Sequence, residues 1–395
     1  MPWGRRMRPE SRGCRACGAR ARAVAAVLAA AVGLTTPAAA HKPITSPFTF
    51  YEDVLPITQA RCGACHAPDG VAPMSLLTHE AAVPWAESMR LELVAGHMPP
   101  GSDVWPRGRF RHTPPLTARE LNVLLTWATG GTPSGDPAKA TTPPEPPEGW
   151  TLGPPTEVLP MPSVAFESNE TARVVETILP LGPRPRALAA VDFRPGTRAI
   201  VRSARILVRQ HDGGSPRETL LGLWVPGDEA ARLPDRAAWP VVPGAELVVR
   251  TVYRKRWDRE REAASDESAI ALYENDGPPG AAAGALEVLA TPADTTGQRI
   301  IAAARVTRPI RVLALWPDTA LAGASVRVDV VQAEGSRSLL AAFDARAGWE
   351  RRVRLAAPER VRPGARVEVT ATWVSPANPA QPGTRLLGLD IVGDE

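Results

Sequence analysis

Two cysteines and a histidine fall within five residues, Cys62-Gly63-Ala64-Cys65-His66. The Cys-x-x-Cys-His spacing is that of covalent haem attachment. Two intervening residues let both sulfurs reach the two vinyl groups on one porphyrin edge. The histidine that follows is then forced under the iron as proximal ligand. Two other chemistries use a cysteine pair at this spacing. A zinc site needs two more ligands, and the one other cysteine pair, Cys14 and Cys17, falls in the first forty residues, which read as a cleaved leader, so the mature chain offers no second pair. A thioredoxin-like dithiol needs a surrounding βαβ pattern, which is missing. The spacing therefore predicts one covalent haem on Cys62 and Cys65, with His66 as an iron ligand.

The residues that must position this motif read as helical from 45 to 131. Phe50, Val54 and Ile57 recur at i, i+4 and i+7 as an apolar stripe, with Pro56 marking a first turn or a kink. A second helix opens at Thr78 and runs to Ala95, with Gly96 at its C-terminal end. A third opens on Thr117-Ala118-Arg119-Glu120, a capping box. It presents Leu121, Leu124, Leu125 and Ala128 on one face, adds Val123 and Trp127 on another, and ends at Gly130-Gly131. A helix apolar on two sides is predicted to be sandwiched, here between the haem and the first helix.

Residues 132–164 hold ten prolines and read as a semi-rigid, extended linker. From about residue 170 the pattern becomes short β-rich runs broken by Pro-Gly, Asp-Gly and Gly-Gly turns. Runs 198–209, 246–253, 310–316, 325–331 and 366–373 are predicted strands. In Val326-Arg327-Val328-Asp329-Val330 apolar and polar residues alternate, as on a strand with one buried face. A weak echo relates Leu223-Trp224-Val225-Pro226 to Leu315-Trp316-Pro317. A second relates Pro243-Gly244-Ala245-Glu246 to Pro363-Gly364-Ala365-Arg366. The echoes predict two sandwiches of similar build, over 165–280 and 281–395.

The helical residues resemble the class I cytochrome c domain: a helix, the attachment motif, a methionine loop and a closing helix. That family commonly takes its sixth iron ligand from a methionine after the middle helix. The matching residue here is Met98, in His97-Met98-Pro99-Pro100. Packing is the competing role for Met98. His79 or His97 would give bis-histidine ligation instead, or be surface residues. Met74 lies eight residues from His66, too near to reach the opposite face, and Met89 reads as packing. Trp85 and Trp127 read as pocket walls.

A wider resemblance rests on Ala72-Pro73-Met74-Ser75, Pro84-Trp85-Ala86 and Met98-Pro99-Pro100, then on Val191-Asp192-Phe193-Arg194-Pro195-Gly196 and Leu223-Trp224-Val225-Pro226-Gly227. Together these resemble exported bacterial cytochromes fused to a domain similar to the copper type II, ascorbate-dependent monooxygenases, the superfamily of peptidylglycine amidating monooxygenase. The resemblance implies a multidomain fold: an all-α cytochrome c haem domain over 41–131, then an all-β region of two jelly-roll-like sandwiches. The family's copper ligands do not carry over. Beyond the linker stand one histidine, His211, and no methionine after Met161.

The first forty residues have the layout of a secretory signal peptide: an arginine-rich start, an apolar run from Ala23 to Val32, and Ala38-Ala39-Ala40. The apolar run is too short to span a bilayer unaided. Removing the leader takes away Cys14, Cys17, seven arginines and Glu10, and leaves 39 basic and 41 acidic residues. The basic charge thus belongs to the leader, and nucleic acid is not an expected partner.

The leading expectation is an exported or periplasmic mono-haem electron carrier. Its β-sandwich region serves a redox partner protein or acts as scaffold, and no membrane span follows signal cleavage. The alternative is a copper monooxygenase-like enzyme fed by its own cytochrome, which the ligand count disfavours. Cleavage after Ala40 would also make His41 a terminal chelating residue, though no second histidine is evident to complete a copper brace.

Overall fold

Runs of Val, Ile and Leu between Pro-Gly turns commit most of the chain to strands. In the computed structural model, strands take 42% of residues against 16% in helices, which makes the fold mainly β. The structure describes residues 45–395 except 101–103, 105, 107, 108, 112–115, 143–148, 212, 291–294, 297, 347–350, 375–380, 382 and 395. The leader expected over 1–40, and His41, lie outside the described residues.

A first pair of antiparallel sheets shares one core. One sheet runs in the order Glu157–Pro160, Ala269–Glu274, Arg186–Arg194, Trp239–Val241. The other runs Ala172–Pro180, Glu246–Arg254, Val201–Gln210, Arg217–Trp224. Leu188, Phe193, Ile206, Leu247 and Ile270 fill the space between them. A second pair repeats the plan, with Ala283–Leu289, Arg385–Gly393, Ile310–Pro317 and Val353–Val361 in one sheet. Thr295–Thr296, Arg299–Arg305, Arg366–Trp373, Ala324–Val331 and Arg337–Asp344 form the other. Val312, Leu315, Val328, Leu340, Val369 and Leu389 make its core.

The echoed Pro-Gly turns enter equivalent strands. Gly244 and Gly364 have φ of 78° and 88°, a left-handed conformation natural to glycine. The residue after each glycine accepts a backbone bond of the same kind, Leu181 N–H to Ala245 at 3.0 Å and Val306 N–H to Ala365 at 2.8 Å.

The two pairs of sheets are joined through Trp316, which is buried among Leu207, Leu220, Leu223 and Val248 of the first pair. Gly388 makes this possible, since a Cβ there would lie 2.0 Å from the indole ring. Asp390 accepts from Trp316 Nε1 at 3.2 Å and from Arg352 Nη2 at 3.2 Å. Arg352 Nη1 in turn donates 2.8 Å across to the Leu221 carbonyl. Nearby, burial would push the Asp318 carboxyl up, but the guanidinium groups of Arg205 and Arg385 outweigh it and hold the group below its ordinary value.

The helical pieces are short: Leu55–Arg61 after a π turn at Phe50–Val54, His79–Ala82, Ala86–Val94, and Ala118–Thr129. Pro56 sits in the first turn of its helix, and Pro84 lies in the 3₁₀ turn Val83–Trp85 that separates two others. Thr78 caps the second piece, accepting from Ala81 N–H at 3.3 Å, and the Thr117–Glu120 capping box is formed. Phe50, Val54, Leu93, Leu124 and Trp127 pack together.

These pieces do not make the all-α cytochrome domain expected from the sequence, and the fold class is corrected to mainly β, in several antiparallel sheets with few helices. Between the last two helices the chain is drawn onto a sheet at residues 109–111. Phe110 forms an antiparallel bridge with Leu355. Arg111 N–H donates to the Arg354 carbonyl at 2.9 Å, and Ala356 N–H to that of Arg109 at 2.7 Å. Arg109 also pairs with Glu359 at 2.6 Å. Residues 109–111 therefore extend an edge of the second sandwich, and Ser46–Glu395 form one compact unit.

Candidate functional site

Cys62 caps the helix Leu55–Arg61, its N–H donating to Thr58 at 2.9 Å. The next turn closes on it: Cys65 and His66 N–H groups both point to the Cys62 carbonyl, at 3.1 and 2.9 Å. The loop then doubles back. Ala72 N–H donates to Cys65 at 3.0 Å, and Leu76 N–H to His66 at 2.9 Å. Gly70 permits the reversal, because a Cβ there would lie 2.2 Å from the Cys65 carbonyl oxygen. The main chain that carries the two thiols and the imidazole is thus held by backbone hydrogen bonds.

His66 is oriented as well. Its Nδ1 lies 3.2 Å from the Met74 carbonyl, which can only accept, so Nδ1 carries the proton and Nε2 keeps its lone pair. Burial pulls the imidazole below its ordinary pKa, partly opposed by the Met74 bond. Both cysteines are free thiols. Burial pushes Cys62 up to about 12, and burial also raises Cys65 against the pull of Arg351 and Arg202. A reactive dithiol depends on the opposite shift, a thiol lowered toward neutrality. Among the described residues, no group of three or more His, Cys, Asp or Glu is placed to hold a metal ion, and no set of zinc ligands gathers around this pair.

Met98 is half-buried and packs on the apolar cluster that also takes in Cys62, Met74, Trp85 and Met89. The structure therefore brings Met98 to the same apolar body as the attachment motif. The two alternative histidines are engaged otherwise. His79 holds the Thr132 carbonyl through Nε2 at 2.8 Å and packs on Phe50 and Trp127. His97 is exposed and pairs with Glu92 through Nδ1 at 3.0 Å. Trp127 is fully buried with its indole N–H on Pro133, and Trp85 is half-buried. His211 lies exposed at the end of the strand Val201–Gln210.

No local signal marks the residues that hold the loop from outside. The Cys65 thiol donates to the Pro226 carbonyl at 3.9 Å, and Gly227 follows with φ 85° beside Ala64. Arg256 donates to the carbonyls of Pro68 at 2.8 Å and Gly70 at 3.4 Å, and Arg202 to that of Val71. Arg351 reaches Pro226 at 3.4 Å. These partners are more than 100 residues away in the chain, and a guanidinium bonded to a carbonyl leaves no spacing to read.

No family model matches the chain, and no curated protein matches it. Solved structures give distant matches. A xanthan lyase from Paenibacillus is 11% identical over 67% of this chain and 28% of its own, with a TM-score of 0.16. A single-residue variant of Bacillus subtilis oxalate decarboxylase is 11% identical over 59% of this chain and 72% of its own, at 0.14. The 11S allergen of Cocos nucifera is 11% identical over 61% of this chain and 88% of its own, also at 0.14. The chain thus spans under a third of the lyase. The resemblance to class I-like exported cytochromes fused to copper type II monooxygenases is overturned by the mainly β architecture with its few short helices. Of the motifs that suggested it, 72–75, 84–86 and 98–100 lie in turns and short helical pieces, while 191–196 and 223–227 run from strand ends into turns, and local chemistry of this kind recurs in unrelated folds.

Proposed function

We propose that the mature chain is an exported electron carrier with one covalent haem, attached through Cys62 and Cys65 and ligated by His66. The observation that carries this reading is the bond from His66 Nδ1 to the Met74 carbonyl, which fixes the tautomer and leaves Nε2 free for iron. The donor set fits the group: two free thiols two residues apart, an oriented imidazole, and a thioether on the same apolar cluster. Cys62 and Cys65 would be the residues that hold the group covalently. The haem supplies reversible one-electron chemistry when bound. His66 and Met98 would ligate its iron, and Phe50, Leu76 and Leu93 belong to the apolar cluster on which Met98 packs. The β-rich region serves as scaffold and as the surface for a redox partner protein.

Iron analysis of the purified mature protein is expected to give one iron per chain, in a haem that stays with the polypeptide on denaturing gels. Zinc or copper in place of iron, with no covalent haem, would refute the proposal. Met98→Ala is expected to lower the reduction potential and open the iron to small ligands, because a thioether favours ferrous iron relative to imidazole. A spectrum unchanged in Met98→Ala and altered in His97→Ala would transfer the sixth-ligand role to His97.

A further inference from the structure

We propose that Arg202, supplied by the first β-sandwich, is a positioning residue that biases the iron held by His66 toward the ferrous state. The inference rests on the covalent-haem reading above. Arg202 stands at a bulge, where Val201 and Ser203 pair with successive residues of the neighbouring strand and Arg202 has no partner of its own. Bulges re-aim a side chain. Here the guanidinium is turned onto the attachment loop, with Nη1 on the Val71 carbonyl and Nε on the Arg254 carbonyl at 3.1 Å.

Three arginines bond to this loop or to the carbonyl that faces Cys65, and their charge balance differs. Arg256 pairs with Asp258, and Arg351 with Asp228 at 3.4 Å. Arg202 donates to carbonyls alone, and among the described residues no carboxylate pairs with it. Burial, with Arg254 and Arg256 nearby, pulls it down to about 10, so it remains a cation at neutral pH. Its charge acts on Cys65, one of the two thiols that would hold the haem. A fixed, partly desolvated cation is poorly screened by solvent or salt. Ferric iron carries one more positive charge than ferrous iron, so this cation disfavours oxidation and raises the potential.

The test compares holoprotein variants by potentiometric titration, poised with dithionite and ferricyanide and followed in the haem absorption bands. Arg202→Gln keeps an amide donor for Val71 but removes the charge. It is expected to shift the ferrous/ferric equilibrium about tenfold toward ferric, about 59 mV for one electron, with covalent haem content unchanged. Arg202→Lys is expected to stay close to the parent, as is Arg327→Gln, a remote charge on the second sandwich paired with Asp329. Arg202→Met is the second neutral variant. A potential that does not move in either neutral variant overturns the proposal. So does loss of haem from both neutral variants with the lysine variant intact, which would make Arg202 a structural prop. A parent protein without covalent haem would instead overturn the reading on which the inference rests.

Discussion

A chain carrying Cys62→Ala and Cys65→Ala is expected to show no covalent haem under denaturing conditions, while its β-rich fold melts as the parent does. Loss of haem follows because both attachment bonds are removed. Retention of the fold follows from how the loop is built. Its reversal is held by the backbone bonds from Ala72 to Cys65 and from Leu76 to His66, which alanine leaves in place. Its outer side is held by Arg202 and Arg256 on the carbonyls of Val71, Pro68 and Gly70. The one side-chain bond lost is the long contact from Cys65 to Pro226. Each single variant keeps one attachment sulfur and is expected to stain for haem at reduced yield. Haem stain that persists in the double variant would contradict attachment at this motif. A collapse of the strand signal in circular dichroism would show that the thiols serve the fold.

The largest expected loss of stability belongs to Asp390→Ala, at about 3–5 kcal/mol, the usual effect of stranding one partner of a buried ion pair. Asp390 and Arg352 approach to 2.8 Å, and each side chain is 7% exposed. Removing the carboxylate leaves the Arg352 guanidinium without its counter-charge at the junction of the two sandwiches. It also leaves the buried Trp316 indole N–H without an acceptor. An unsatisfied donor of this kind costs about 1–3 kcal/mol. The melting temperature should fall by roughly 10 °C, at a few degrees per kcal/mol for a chain of this size. Replacing both members with apolar residues, Arg352→Met with Asp390→Leu, is expected to cost less than the sum of the single changes, because no lone charge is then buried. A single-variant loss below about 1 kcal/mol in urea titration would mean that the pair is hydrated and not a weld.

What the chain alone determined is local. The Cys-x-x-Cys-His run, the Thr117–Glu120 capping box and the Thr78 cap are legible because their partners lie within three or four residues. The strands expected at 246–253, 310–316, 325–331 and 366–373 are found as Glu246–Arg254, Ile310–Pro317, Ala324–Val331 and Arg366–Trp373. Strand alternation and Pro-Gly turns are short-range signals of the same kind. The class of the whole fold was not legible, because helix starts say nothing about what covers the helices. Tertiary structure alone decided that residues 109–111 join the edge of Val353–Val361. It also decided that His66 takes the Met74 carbonyl, and that a bulge turns Arg202 onto Val71. Buried donors must find acceptors wherever the packed chain offers them, and backbone carbonyls, present at every residue, leave no mark in the sequence.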